Sequence, residues 1–293
     1  MVRFWHRFMH PVITTVKPRR IMEVGADSGW TTQHILAYCR EHGCKADIVD
    51  PAPRPSLHDV LAQYGDEYRY HPFKSVHAIP QIDAPDVALL DGDHNWSTVY
   101  RELTLIFARA AETGTPPPVI MFHDCAWPYA RRDMYYNPDD LPAAERHPYA
   151  YRGLLPGEPE LTEDGMNGML ANALHEGGPR NGVLTGIEDF IASVSVDLSF
   201  YTLPFFNGLG ILVPGERMTP ELQALIDSFF GAESLLETCK ELESYFMKMN
   251  ASLQQTEGKL TLRTDALVRA RALLQEQAVR IAELEAAVMR ADV

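Results

Sequence analysis

The chain has 293 residues, of which 46% are hydrophobic and 23% charged, a composition typical of globular proteins. Its formal net charge of −14 argues against a nucleic-acid backbone as the main partner, because phosphate binding needs a basic surface. No run of eighteen apolar residues occurs, so we expect no stable membrane insertion. The four cysteines, Cys39, Cys44, Cys125 and Cys239, show no metal-ligand spacing and no disulfide framework, which favours a reduced, cytoplasmic protein.

Residues 1–19 carry a short amphipathic pattern. Its apolar positions are Phe4, Trp5, Phe8, Met9, Val12 and Ile13. We interpret this segment as a helix that packs as a lid on the edge of the following domain, with a membrane contact as the alternative.

The most informative motif is a predicted strand, turn and helix. An apolar run over residues 21–24 predicts a buried parallel strand, and the turn after it has the pattern Glu23-x-Gly25-x-x-x-Gly29. Glycines in such a turn let a ligand approach the backbone, and the helix N-terminus offers free N–H groups. A second strand ends in Asp50, whose carboxylate can hold the two hydroxyls of a ribose. The unit therefore predicts a site for a nucleotide-like cofactor.

The regular pattern continues to residue 213. Further strands are predicted over residues 68–73, 86–91, 119–122, 198–205 and 209–213. Helices between the first five strands make those strands parallel, and the turn at residues 206–208 makes the last two an antiparallel pair. We therefore expect a doubly wound α/β domain over residues 20–218, with a seven-stranded, mostly parallel sheet.

Residues 126–182 depart from this pattern and are too long for an ordinary connection, which predicts a functional insertion. A short helix is expected over residues 166–174. The aromatic side chains suited to stacking on a substrate are Trp127, Tyr129, Tyr135 and Tyr136. The polar side chains suited to hydroxyls or a carboxylate are Arg131, Arg132, Asn172, His175 and Arg180. The alternative is a tyrosine-rich loop that only seals the core.

Acids and histidines follow two of the predicted strands. Asp91-Gly92-Asp93-His94 comes after residues 86–90, and His123-Asp124 ends the strand over residues 119–122. Because the carboxyl ends of parallel strands meet at one edge of a sheet, we expect these side chains to share a crevice. Three or four oxygen and nitrogen ligands there suit Mg²⁺ or Mn²⁺. His94 is the candidate general base, since a neutral imidazole works near pH 7; a loop hydrogen bond is its alternative role.

These residues resemble a known family. The segments are Glu23-Val-Gly-Ala-Asp-Ser-Gly29, Ile48-Val-Asp50, Leu90-Asp-Gly-Asp-His94 and Phe122-His-Asp124. They resemble the class I S-adenosylmethionine-dependent methyltransferases. More narrowly, they are similar to the metal-dependent sugar O-methyltransferases of the macrocin O-methyltransferase and cephalosporin hydroxylase-like group. The resemblance covers residues 20–213 and implies S-adenosylmethionine and a divalent metal as cofactors.

The resemblance also implies roles for single residues. Those that contact the cofactor would be Glu23, Gly25, Ala26, Ser28, Gly29, Trp30, Asp50, Ser75 and Asp91. Within that set, Asp50 takes the ribose hydroxyls and Ser75 lies beside the adenine. Asp91, His123 and Asp124 would hold the metal, and His94 matches the position of the base. The chain departs from the family pattern at Asp27, where a glycine is typical, and at His123, where many relatives carry a second acid.

Residues 219–293 have a seven-residue repeat. Its uninterrupted apolar positions are Phe246, Leu253, Leu260, Leu267, Leu274, Ile281 and Val288. The companion positions are mixed: Leu242, Met249, Thr256, Arg263, Ala270, Gln277 and Leu284. A strict period of seven predicts a coiled coil and therefore a homo-oligomer, with a helix folded back on the domain as the alternative. The number of strands, their register and a heterotypic partner stay open.

Together these features predict an O-methyltransferase that methylates a hydroxyl of a saccharide or glycosylated metabolite, using a divalent metal and a histidine base. A phenolic or polyketide hydroxyl is an alternative acceptor. An NAD-dependent oxidoreductase and a non-catalytic coiled-coil assembly protein are alternative functions. The first turn lacks the G-x-G-x-x-G spacing, and no Tyr-x-x-x-Lys pair follows the fourth strand, which argues against the oxidoreductase.

Overall fold

The computed structural model describes residues 1–291, and the side chains of residues 1–284. The chain forms two compact units, Met1–Asp227 and Ser228–Val293. The strands, numbered along the chain, are β1 Arg20–Val24, β2 Lys45–Val49, β3 Tyr68–His71, β4 Val87–Leu90, β5 Val119–His123, β6 Met134–Tyr135, β7 Tyr149–Ala150, β8 Ala171–Ala173, β9 Leu198–Leu203 and β10 Leu209–Pro214. The α-helices are α1 His10–Val16, α2 Thr32–His42, α3 Pro55–Leu61, α4 Ser75–Ala78, α5 Trp96–Thr113, α6 Val183–Ser193, α7 Pro220–Phe229 and α8 Ala232–Ala291.

A seven-stranded sheet forms the centre of the first unit. Its strand order is β3-β2-β1-β4-β5-β10-β9, with the first five strands parallel and the last two antiparallel. The order reverses at β1, because the chain first builds outward to β3 and then returns to β4. This is the doubly wound arrangement in which ligands bind outside the carboxyl ends of the strands at the reversal. The predicted fold class is confirmed.

Apolar periodicity explains how α5 is placed on this sheet. Its residues Val99, Leu103 and Ile106 share one helical face and are buried in the main core together with sheet residues such as Ile120. Asn95 caps the start of the helix, because its side-chain Oδ1 accepts a hydrogen bond from the Thr98 N–H at 2.8 Å. The start of α5 is thereby fixed directly after the end of β4.

The N-terminal segment packs inside the first unit. It has a 3₁₀ turn at Val2–Phe4, a π-helical turn at Trp5–Met9 and then α1. Its predicted apolar side chains, Phe4, Trp5, Phe8, Met9, Val12 and Ile13, are all buried. The ring of Phe4 lies 5.7 Å from that of Phe205 and 6.0 Å from that of His123, so this segment covers the end of β5.

The insertion forms a small sheet of its own, with the order β6-β8-β7. The helix expected over residues 166–174 is wrong, because this segment contains β8. The side-chain Nδ2 of Asn172 donates to the backbone carbonyls of Arg152, Asn167 and Leu170. These bonds hold β8 in place between its two neighbouring strands, β6 and β7.

The second unit consists mainly of α8, a helix of 60 residues. Its apolar residues at the seven-residue spacing are exposed as far as Ile281. The side chain of Val288 lies outside the described residues. None of the described helices is long and apolar enough to cross a lipid bilayer.

Candidate functional site

The turn after β1 is shaped by contact with the end of β4. Gly25 has φ +84°, and a Cβ atom there would lie 2.2 Å from the carbonyl oxygen of Asp91. The backbones of β1 and β4 therefore approach so closely that only glycine fits. The fold itself therefore requires glycine at this position. This requirement is separate from the cofactor role that the sequence suggests for Gly25.

Glu23 is buried at the end of β1. Its Oε2 accepts a hydrogen bond from Thr32 Oγ1 at 2.7 Å. Burial raises the pKa of Glu23 to about 8, because a charged carboxylate loses its hydration there. Glu23 is therefore mostly protonated near neutral pH and can donate as well as accept a hydrogen bond.

Asp50 ties the end of β2 to the turn after β1. Its Oδ2 accepts from the backbone N–H of Asp27 at 2.8 Å, and its Oδ1 from that of Ala52 at 2.9 Å. Asp27 has φ +45°, in the left-handed region that favours glycine. The role of Asp50 toward a ribose stays a prediction.

The other predicted cofactor residues differ in exposure. Ala26 and Gly29 are buried, Ser28 is half-buried, and the side chain of Trp30 is exposed. Gly29 has φ +83°, and a Cβ atom there would lie 3.0 Å from Val60 Cγ2 of α3. Ser75, at the start of α4, hydrogen-bonds the buried Glu102 of α5.

Four side chains meet at the ends of β4 and β5. His123 Nδ1 lies 3.2 Å from Asp91 Oδ1 and 2.8 Å from Asp124 Oδ2. His94 Nε2 lies 2.8 Å from Asp124 Oδ2 and 3.8 Å from Asp91 Oδ1. Each of Asp91, His123 and Asp124 offers one ligand atom, and these atoms lie within 4.8 Å of one another. The structure thus brings together the three predicted metal ligands and the predicted base.

The register of β4 and β5 explains why these side chains lie close together. Leu90 pairs with Phe122 across β4 and β5, so Asp91 and His123 are the next residues on adjacent strands. Asp124 has φ +58°, an unusual conformation for a residue other than glycine. Such outliers cluster at functional sites, because the surrounding structure must hold them in place.

Charges within the cluster shift the pKa values of all four side chains. Burial alone would lower the pKa of His94, but the charge and hydrogen bond of Asp124 raise it well above the usual value. Burial likewise opposes ionisation of His123, but Asp91 and Asp124 raise its pKa to about 9. The pKa values of Asp91 and Asp124 are lowered by the two histidines, against the effect of burial. The cluster therefore places two carboxylates with lowered pKa values against two imidazoles with raised pKa values.

This donor set fits a divalent cation. Two carboxylates and one imidazole are ligands that Mn²⁺ accepts, and Mg²⁺ accepts the oxygens. The buried ring nitrogens of His94 have no well-aligned hydrogen bond, although Nε2 is in contact with Asp124. The amino group of Met1 lies 2.9 Å from Asp91 Oδ2, so the second oxygen of this carboxylate faces the N-terminal segment.

The insertion holds the loop that carries His94. The Met134 N–H donates to the His94 carbonyl at 2.9 Å, and the ring of Tyr129 stacks on the imidazole with centroids 5.5 Å apart. The ring of Tyr136 is exposed and lies 5.7 Å from that of His94. Of the predicted substrate residues, Tyr129 and Tyr136 are therefore the two with ring contacts to the base.

The remaining predicted substrate residues divide into two groups. Arg132, Tyr135 and Asn172 are buried in the insertion, and protein groups hydrogen-bond their polar atoms except Arg132 Nε. Trp127 is half-buried against the cluster that contains Tyr129.

The more exposed members contact other parts of the surface. Arg131 forms an ion pair with Glu188, His175 Nδ1 lies 3.7 Å from Glu160, and Arg180 lies over the ring of Trp96. None of these partners belongs to the cluster of Asp91, His94, His123 and Asp124.

Sequence reasoning missed Asp133, which organises this region. Its Oδ1 accepts from the N–H groups of Trp96 and Gly182, at the starts of α5 and α6, and its Oδ2 accepts from the Tyr135 hydroxyl. Asp133 is 1% exposed. No periodicity or spacing around it marks a buried carboxylate, so only the tertiary contacts reveal it.

Comparison with known proteins gives one family match. Residues 22–125 match a family model described as a methyltransferase domain. The match covers about a third of the chain and includes Glu23, Asp50, Asp91 and Asp124. Over this segment the chain is similar to a methyltransferase domain. No curated protein sequence matches the chain.

Solved structures give weaker likenesses. A methyltransferase of Podospora anserina, PaMTH1, solved with S-adenosylhomocysteine, is 15% identical with a TM-score of 0.43 over 69% of this chain and 75% of that one. Human N-acetylserotonin methyltransferase, solved with S-adenosylmethionine, is 13% identical with a TM-score of 0.39 over 73% of this chain and 53% of that one. A putative caffeoyl-CoA O-methyltransferase of Staphylococcus aureus is 8% identical with a TM-score of 0.42 over 70% and 79%. These likenesses are too weak to assign an activity.

Proposed function

We propose that this protein is an S-adenosylmethionine-dependent O-methyltransferase that uses a divalent metal. The observation that carries the proposal is the meeting of Asp91, His94, His123 and Asp124 at the ends of β4 and β5. All four lie within the segment that matches a methyltransferase domain. The cofactor would bind between the turn after β1 and the end of β2, beside Glu23 and Asp50 in the same crevice.

Methyl transfer from a sulfonium needs an oxygen nucleophile held about 3 Å from the methyl carbon, in line with the bond that breaks. A sugar hydroxyl is a weak acid, so its proton must be removed. His94 would accept this proton at Nδ1, the ring nitrogen that has no partner among the described residues, while Nε2 faces Asp124, which orients the ring. Asp124 raises the pKa of His94, so its action as a base requires the charge of the two carboxylates to be neutralised.

Asp91, His123 and Asp124 would hold the cation, Mg²⁺ or Mn²⁺. When bound, the ion would supply the positive charge that stabilises an ionised hydroxyl. His123 would have to lose the proton that its raised pKa favours, so we expect the affinity for metal to rise with pH.

For the acceptor we propose a hydroxyl of a saccharide or glycosylated metabolite. The support is an exposed aromatic ring, Tyr136, beside the base, together with the partly buried Trp127 on the same insertion. Aromatic rings offer an apolar face, which suits the apolar faces of sugar rings, and a hydroxyl or N–H for orientation.

Calorimetric titration tests the proposal. The purified protein is titrated with S-adenosylhomocysteine and with NADH, each with Mg²⁺ and with EDTA. We expect micromolar binding of S-adenosylhomocysteine and none of NADH. Binding of NADH alone would favour the oxidoreductase, and binding of neither would favour an assembly role. Transfer of labelled methyl groups to saccharides, compared with phenolic acceptors, then tests the acceptor class.

A further inference from the structure

The second unit presents a continuous apolar stripe. Along α8, a large apolar side chain recurs every seven residues, and each of these is 55–72% exposed. The six positions, which we call the seam, are Phe246, Leu253, Leu260, Leu267, Leu274 and Ile281. A period of seven is shorter than two turns of a straight α-helix, so a stripe with this period stays in contact with a partner only if both helices supercoil. A stripe of this length on a soluble helix marks an interaction surface.

The pattern begins earlier than the seam alone suggests. One repeat before Phe246 stands Cys239, which is exposed and occupies the same heptad position. The companion positions near the start of α8 are also apolar: Leu235, Leu242 and Met249. The apolar pattern thus extends almost from the first turn of α8.

The distribution of polar residues favours a partner of identical sequence in parallel register. In a parallel, in-register pair each seam residue packs against its own copy, and the mixed companion residues meet one another in separate layers. An antiparallel pair would instead place seam residues beside companion residues, so that Arg263 and Gln277 would interrupt the apolar layers. Only the parallel arrangement keeps all six seam layers apolar.

The companion residues also favour two strands over more. In a two-stranded coil the edge of each layer is in contact with water, so the guanidinium of Arg263 can reach solvent while its stem packs on neighbours. A three- or four-stranded bundle would enclose Arg263, and an enclosed charge without a partner is costly.

The available area is sufficient for a stable pair. Burying a large aliphatic side chain removes on the order of 100 Å² of apolar surface from water. The six seam residues with Leu235, Leu242, Met249 and Leu284 make ten per copy. At roughly 60% exposure, ten residues on each of two copies bury roughly 1,200 Å², the lower end of stable protein interfaces.

We propose that α8 pairs with α8 of a second copy of this chain as a parallel, in-register, two-stranded coiled coil. The interface is the seam with its companion residues. The proposal does not depend on the methyltransferase activity.

Light scattering coupled to size exclusion tests the pairing. The full chain has a mass of 32.9 kDa, and we expect a particle of twice that mass. The double variant Leu260→Asp/Leu267→Asp places charges in the seam and should give the monomer mass. Leu262→Asp/Val268→Asp is the matched control, because these two side chains are equally exposed but lie off the seam. A monomeric parent protein, a three- or four-chain particle, or equal effects of both double variants would overturn the proposal.

Disulfide trapping tests the direction and register. With oxidised glutathione as oxidant, the Cys239 thiols of two parallel chains lose their protons and form one S–S bond, and the glutathione disulfide is reduced to two thiols. We expect a covalent dimer on a non-reducing gel, absent in Cys239→Ser. Leu274→Cys in the Cys239→Ser background should restore it. A particle of dimer mass that gives neither crosslink would contradict the parallel register.

Discussion

At the scale of single residues, the decisive feature is the pair of carboxylates between two imidazoles. If these groups form a metal site, Asp124→Asn should weaken Mn²⁺ binding by about 100-fold or more, because even outer partners of metal ligands contribute about 10–100-fold. Titration calorimetry with MnCl₂ alone, at pH 8 and without substrate, measures this directly.

Asp93→Asn is the matched control for that measurement. Asp93 lies in the same loop as Asp91, but its carboxylate accepts hydrogen bonds from the Thr98 hydroxyl and the His94 N–H. Its replacement should leave Mn²⁺ affinity within a few-fold of the parent. Equal loss of affinity in both variants would show that the loop fold, rather than ligation, governs binding.

Glu102 gives the protein a pH-dependent stability. Burial raises its pKa from 4.5 to about 8, although a hydrogen bond with Ser75 opposes the shift. Between these values the folded protein keeps a proton that the unfolded chain has lost. The free energy of unfolding therefore falls as pH rises, by up to about 1.4 kcal/mol per pH unit, and this contribution levels off above pH 8.

Glu102→Gln should remove this dependence while keeping the shape of the side chain. Thermal unfolding from pH 5 to 8.5 should show a shallower decline, with the variant more stable than the parent at pH 8.5. Part of the slope should persist, since Glu23 has a similarly raised pKa. Glu112→Gln, on an exposed part of the same helix, is the control and should leave the slope unchanged. An unchanged slope in Glu102→Gln would contradict the prediction.

Tyr136 is the exposed ring beside the proposed base. If it stacks on the acceptor, Tyr136→Ala should raise KM for the acceptor several-fold and leave the affinity for S-adenosylhomocysteine unchanged, since a stack of this ring on the acceptor would contribute about 1 kcal/mol. Tyr151→Ala is the control, because Tyr151 is equally exposed on the insertion. An equal rise in KM for both would argue against a specific contact.

The residues of the cluster could be predicted because each follows an apolar run that reads as a buried strand. The end of β4 predicts where Asp91 stands, and the end of β5 does the same for Asp124. The insertion gave no such guide. Arg132 and Asn172 have polar side chains typical of a binding surface, yet they are buried, because backbone carbonyls of the insertion accept their hydrogen bonds. Only tertiary structure decides whether such a polar side chain lines a binding surface or is buried.

At the scale of secondary structure, Asp133 joins the starts of two helices to the insertion. Asp133→Ala would leave three buried or partly buried donors without an acceptor: the N–H groups of Trp96 and Gly182 and the Tyr135 hydroxyl. We expect a loss of about 2–5 kcal/mol in the free energy of unfolding. Urea unfolding measures this loss, and limited proteolysis should show earlier cleavage within residues 126–182.

Asp139→Ala provides the comparison for Asp133. Asp139 also lies in the insertion, but its side chain is 89% exposed and pairs only with Arg146 among its charged neighbours in the described residues. Exposed ion pairs contribute little, so we expect a change within about 0.5 kcal/mol. A similar change in both variants would mean that Asp133 does not organise the insertion.

Elements differ in how far the sequence predicts them. The sheet strands were predictable because runs such as residues 87–90 are apolar throughout, as a strand covered on both faces requires. Strands β6, β7 and β8 have two or three residues each, too few for any period to be visible. They exist because Asn172 and its neighbours pair across the insertion, which no local pattern encodes.

At the scale of the whole molecule, the proposed pairing of α8 predicts a stability that depends on protein concentration. The four tryptophans, Trp5, Trp30, Trp96 and Trp127, all lie in the first unit, so their fluorescence reports on that unit alone. Circular dichroism at 222 nm also reports the 60 residues of α8. Mass action stabilises a paired state as concentration rises. Over a 100-fold range of protein concentration, we therefore expect the midpoint of a helical transition to rise by several degrees.

The variants of the seam make this measurement specific. Leu260→Asp/Leu267→Asp should abolish the concentration dependence of the helical transition. A helix that cannot pair with a second copy gains no stability when the protein concentration rises. Leu262→Asp/Val268→Asp should retain it. If the helical transition of the parent protein were independent of concentration, α8 would be stable without a second copy, and its exposed seam would need another explanation.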